Sequence, residues 1–148
     1  MMDRVALAFS LREKGFSCSQ AVFATFSEDL SIDQKAALRI AACFGGGMRM
    51  GEVCGALTGA LMAIGMYNGY DQEDSPEEKQ RVGEMTTNFI SEFKVLQKAV
   101  RCQDILDGYN SSIPEERAII EAKGLIAEKC PVAIEHAVRL VEKQMALS

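Results

Sequence analysis

Residues 44–65 read FGGGMRMGEVCGALTGALMAIG, and the spacing within this stretch decides the fold. Gly47, Gly51, Gly55 and Gly59 recur at every fourth position, and Ala63 continues the series. On a helix that spacing makes a stripe of small residues against which a second helix can approach closely. Residues 53–66 are apolar on almost every side, so this helix belongs in the centre of a bundle; the run is too short to cross a bilayer. The Gly45-Gly46-Gly47 triplet precedes it. It makes a poor helix interior and reads as a loop whose backbone takes conformations other residues resist. The loop lacks both the Lys-Ser/Thr ending and the preceding strand of a nucleotide P-loop. What it does deliver is Cys54, to the first turn of a buried helix. Bare amides at such a terminus stabilise an anion, so a thiol of lowered pKa is expected there.

Outward from this stretch, helical periodicity continues in both directions and no segment alternates as a strand would. Val5, Ala8, Phe9 and Leu11 share one side of a first helix that stops at Gly15. Ser17 caps a second helix from Cys18 to about Ser27, with Ala21, Val22 and Phe26 inward. Ser31 and Gln34 form a capping box for a third, ending near Cys43. Ser75, Pro76 and Glu78 open a long helix that runs to about Lys98. A short helix covers 102–106. Another starts at Ser112 and Pro114, and Pro131 opens the last, with Val132, Ala137, Leu140 and Val141 inside. The expectation is a single all-α domain over 1–148: a compact bundle of about seven helices around the glycine-rich one.

At 148 residues the chain can bury a sizeable core without disulfide staples. With 48% hydrophobic and 25% charged residues it reads as globular rather than disordered. A net charge of −5 and no basic cluster argue against nucleic acid or an anionic membrane as a partner. The N-terminal apolar stretch runs straight into Arg12, Glu13 and Lys14, which suits an amphipathic helix better than a signal peptide. A cytoplasmic location follows as the expectation. There, five cysteines point to packing, metal ligation or redox chemistry rather than structural disulfides.

Cys18 follows an N-cap, Cys102 begins a short helix and Cys130 directly precedes Pro131, so these three share with Cys54 a place at an expected helix start. No CxxC occurs, which removes the zinc-ribbon, thioredoxin-like and ferredoxin patterns. The ordered set Cys18-Ser-Gln-Ala-Val, Phe44-Gly-Gly-Gly-Met, Cys54-Gly-Ala-Leu-Thr-Gly59, Cys102 and Cys130 resembles the C_GCAxxG_C_C family of redox-active proteins over nearly the whole chain. The family label writes glycine before cysteine; here the order is CGAxxG. The resemblance implies Cys18, Cys54, Cys102 and Cys130 as the family cysteines and leaves Cys43 as a packing residue. A more distant resemblance to the helical part of split-Soret cytochromes implies a scaffold that can carry iron. Without CxxCH, covalent haem is excluded. His136 is the only histidine, so no His-based triad or cluster can form.

Two chemistries and one plain alternative remain open at this level. In thiol–disulfide exchange Cys54 attacks and one of Cys18, Cys102 or Cys130 resolves, with three pairings open. In an iron–sulfur centre the same four cysteines are ligands, and Gly46, Gly47 and Gly55 leave room for inorganic sulfide; zinc is the redox-inert version and ranks behind it. In the third reading the chain is a helical interaction module whose cysteines only pack. Met48 and Met50 flank the glycine loop and border any site there, and Arg49 between them can stabilise a thiolate or bind an anion. The redox partner is not identifiable from sequence, and a homodimer is compatible with each reading.

Overall fold

The computed structural model of the protein describes residues 3–147. Among these, 70% are helical and none forms a strand. The helices number nine rather than about seven, and one of them is a short turn into which the glycine loop closes. In chain order they are α1 (Arg4–Glu13), α2 (Cys18–Ala24), α3 (Gln34–Ile40), a π turn (Gly47–Gly51), α4 (Gly55–Asn68), α5 (Pro76–Gln97), α6 (Cys102–Ile105), α7 (Pro114–Lys123) and α8 (Leu125–Gln144). None of the described helices is long and apolar enough to cross a membrane.

Helix α4 is central, packed on α2, α5 and α8. Its buried face carries Gly55, Ala56, Leu57, Gly59, Ala60, Ala63 and Ile64, the small-residue stripe of the sequence. A Cβ added at Gly59 would lie 2.6 Å from the Ser19 carbonyl oxygen and 3.2 Å from its Cα. One at Gly55 would lie 3.1 Å from the Ser19 nitrogen and 3.3 Å from the Cys18 Cβ. Any side chain at either position would push α2 away. The glycines therefore set the distance between the helix that starts at Cys18 and the helix that starts after Cys54. Phe26, Phe89, Phe93, Ile134, Val138 and Val141 fill the core around this crossing.

Several local expectations are corrected. Ser31 does not cap α3: it has φ 55°, and Asp33 accepts the Ala36 amide instead, at 3.0 Å. An aspartate two residues on presents its carboxylate without a left-handed backbone. The Ser75 hydroxyl turns back to the Glu73 carbonyl, while Glu78 is drawn to Arg81 at 2.6 Å, so no capping box forms there. Ile113 rather than Ser112 precedes α7, with Pro114 as its first residue. Pro131 does not open the last helix. It lies inside α8, which begins at Leu125 after Gly124 turns left-handed at φ 65°. Val132 is 46% exposed rather than inside, whereas Ala137, Leu140 and Val141 are buried as expected.

Candidate functional site

At Cys18 the chain is held from several directions. Helix α1 ends where Gly15 adopts φ 101°, and Arg12 reaches over this turn to donate from Nη1 to the Phe16 carbonyl at 2.8 Å. Ser17 then caps α2 reciprocally with Gln20, whose Oε1 accepts the Ser17 amide at 2.9 Å. The Gln20 Nε2 donates to the Leu38 carbonyl at 2.9 Å, and the buried Ser19 hydroxyl donates to the Ala41 carbonyl at 2.8 Å. Cys18 thus occupies the first position of a short helix anchored to α3 and α4. Its side chain has little freedom to leave.

Cys54 and Cys102 are brought together by an element too small for sequence reading to reveal. Val53 and Arg101 form an isolated antiparallel bridge. The Cys54 amide donates to the Val100 carbonyl at 2.8 Å and the Cys102 amide to the Glu52 carbonyl at 2.5 Å. In such a pairing the residues flanking the bridge point to the face opposite the bridged pair. Cys54 and Cys102 therefore share one face, diagonal to each other. The glycine loop leads into this bridge. Gly46, Gly47, Met48 and Arg49 take φ of 64°, 63°, 58° and 61°, one left-handed turn, closed by the Glu52 amide on the Gly47 carbonyl at 3.1 Å. Two of those four residues are not glycine, so the turn carries strain that the surrounding contacts must hold. Asn110 supplies one such contact by donating to the Met50 carbonyl at 3.0 Å.

Cys18, Cys54, Cys102 and Cys130 all line one cavity of about 340 Å³. Cys43 does not; it is exposed on the turn after α3. None of the five is in a disulfide. Gly46 and Gly55 also line the cavity, whereas Gly47 is buried behind it in contact with Glu52. Cys130 enters from the side wall, not from a helix start, because α8 begins five residues before it. Met48, Arg49 and Met50 are all exposed, and Arg49 also borders the cavity. His136 is away from it, its Nδ1 2.8 Å from the Gln97 Oε1.

The four sulfurs differ in acidity. Hydrogen bonding from the Cys130 thiol, the Arg12 guanidinium and a local amide hold Cys18 down to about 7 against its own burial. Cys130, which supplies that hydrogen and loses water as well, is pushed up. Burial pushes Cys54 up to about 12 even though the amides of Ala56 and Leu57 pull the other way. The expected depression at Cys54 is therefore reversed, and it is at Cys18, beside Arg12 and the Cys130 thiol, that the surroundings favour a thiolate. Burial and the neighbouring Cys18 push Cys102 up to about 11, opposed by the Ser111 hydroxyl.

Among the described residues no three Cys, His, Asp or Glu side chains are disposed to hold a metal ion together. Cys18 lies next to Cys130, and Cys54 and Cys102 face it within the same cavity.

A family model described as "Putative redox-active protein (C_GCAxxG_C_C)" matches residues 16–144. The chain belongs to this family. The match begins two residues before Cys18 and takes in all four cavity cysteines and the glycine loop, and membership supports a redox role in general. No curated protein and no solved structure matches the chain. Within the C_GCAxxG_C_C pattern, the second glycine of CGAxxG is Gly59, seat of the α2 crossing, and the first is Gly55, seat of Cys18. Arg12, Arg117 and Ser111 also line the cavity and were not anticipated. In the sequence each is an ordinary surface residue of a helix or turn. Only the packing of α1 on α2 and of α7 on α8 brings them to the thiols.

Proposed function

We propose that the protein is a dithiol–disulfide oxidoreductase in which Cys18 is the attacking thiolate and Cys130 the resolving thiol. The observation that carries this reading is the convergence of Cys18 and Cys130 on one cavity beside Arg12, surroundings that lower the pKa of the Cys18 thiol. An attacking thiol works best with a pKa near the ambient pH, where it is both ionised and nucleophilic.

The sequence of bonds is balanced. The Cys18 thiolate attacks one sulfur of a disulfide substrate, forming a mixed disulfide and expelling the other sulfur as a thiolate. The Cys130 thiol gives its proton to that leaving thiolate. The Cys130 thiolate then attacks the Cys18 sulfur, forming the Cys18–Cys130 disulfide and expelling the second half of the substrate. The substrate gains two electrons and the protein dithiol loses two. Cys54 and Cys102 make a second dithiol that stays protonated at neutral pH, a reserve of two further electrons for the first pair.

The test is to trap the intermediate. With Cys130→Ser, reduced protein mixed with 2-hydroxyethyl disulfide should accumulate one 2-hydroxyethylthio adduct on Cys18, seen by peptide mass mapping. Adduct on Cys54 alone, or on none of the four, contradicts the assignment.

A further inference from the structure

The cavity is lined by three arginines, Arg12, Arg49 and Arg117, and by no aspartate or glutamate. In a chain with 21 acidic and 16 basic side chains this is a local reversal of charge. Arg12 uses one guanidinium donor on the Phe16 carbonyl and keeps the rest. Arg117 leans on Glu121, with its Nε 3.1 Å from Oε1, on the solvent side of α7, and half of its side chain stays exposed. Arg49 stands on the left-handed turn and makes no ion pair among the described residues. The hydroxyls of Ser17, Ser111 and Ser112 add neutral donors around the same opening.

We infer that the cavity selects anionic ligands, and that the substrate is a small disulfide or thiol carrying one or more carboxylates, which Arg49, Arg117 and Arg12 orient over Cys18. The inference rests on the exchange reading above and adds its substrate class. A bidentate guanidinium–carboxylate contact fixes both position and orientation, which a neutral cavity of thiols and alanines cannot. An arginine-lined cleft also raises the local concentration of anions, by about tenfold or more at low salt. The left-handed turn then has a use: it sets Arg49 at the rim of the cavity, exposed like Met48 and Met50 on either side of it.

The experiment compares alkylation of Cys18 by iodoacetate and by iodoacetamide, reagents of one shape and different charge, at low ionic strength. Each forms an S–C bond and expels iodide, so the result does not depend on the protein being a disulfide reductase. The iodoacetate-to-iodoacetamide rate ratio should exceed that of free cysteine by about tenfold. It should collapse in 0.5 M salt, where the Debye length shrinks to about 4 Å. In the double variant R49G/R117Q it should fall most of the way to the free value; glycine suits the positive φ at 49, and Arg117 is half exposed. The salt arm needs no variant. A wild-type ratio no higher than that of free cysteine, or one unchanged in the double variant, overturns the inference. Formation of the Cys18 adduct described above without any charge preference would overturn the anion selection alone. Charge preference without any disulfide chemistry would overturn the exchange reading alone.

Discussion

At Cys54 two effects act on one sulfur: amides at the start of α4 favour the thiolate, and removal from water disfavours it. The amides act over one turn, worth about 1 kcal/mol, while a fully buried group can shift by several pKa units. Burial wins, and Cys54, 6% exposed, is a proton-holding thiol. Cys18 is only partly buried, and it overcomes its burial cost because the Cys130 thiol donates to its sulfur and Arg12 lies nearby. The sign of the linkage follows. The folded state lowers the Cys18 pKa, so its stabilising contribution is complete above pH 9 and is lost as pH falls through about 7. Cys54 behaves oppositely: above pH 9 the unfolded thiol ionises first, and stability falls toward pH 12. In a Cys43→Ser background, which removes the exposed thiol, Cys18 should be alkylated by iodoacetamide with a midpoint near pH 7. Cys54 and Cys102 should remain unreacted below about pH 10. Cys130→Ala should move the Cys18 midpoint upward, because its hydrogen-bond donor is gone. Peptide-resolved rates read all of this, and Cys54 reacting first at pH 7 would contradict it.

At the scale of elements, the crossing of α2 on α4 does the positioning, and it depends on Gly59. Alanine is a better helix former than glycine by about 1 kcal/mol, yet Gly59→Ala should destabilise by roughly 1–3 kcal/mol, since its Cβ meets Ser19 backbone. Gly65 lies on the same helix with nothing within 4 Å of an added Cβ, so Gly65→Ala should stabilise by about 0.5–1 kcal/mol. Opposite signs in urea midpoints are the expected outcome; two shifts of the same sign would mean that packing on α2 is not the constraint. This crossing was legible in the sequence at Gly55 and Gly59, whereas Gly47 and Gly51, at the same spacing, lie in the left-handed turn before α4. The Ser17 cap was equally legible, since Gln20 stands three residues on and nothing competes for it. The start of α8 was not. Gly124, a left-handed residue, is as good a boundary as Pro131, and local signals do not say which of two boundaries the packing of Leu125 will select.

For the whole molecule, the four cysteines converge because three separate contacts close the chain on itself: α2 on α4, the Val53–Arg101 bridge, and α8 against α4. An ion network clamps the far side. Arg4 pairs at 2.8 Å with both Asp29 and Glu142, and Arg139 joins Glu142 to Asp3, so the first and last helices are held together at an end remote from the thiols. The sequence named the four cysteines, through their motif, and the central helix, through its composition. It did not reveal which thiol pairs with which. The proposed pairing depends on a single-residue bridge and on Cys130 standing in the wall of a helix, and neither leaves a periodic trace. The arginines of the cavity were hidden for the same reason. The most direct test is a redox titration of the intact protein against a thiol–disulfide buffer, with alkylation quench and disulfide mapping at each potential. The first bridge to form should be Cys18–Cys130, with Cys54 and Cys102 still reduced. A first bridge that leaves out Cys18, or four cysteines that remain reduced under strongly oxidising buffer, would contradict the account.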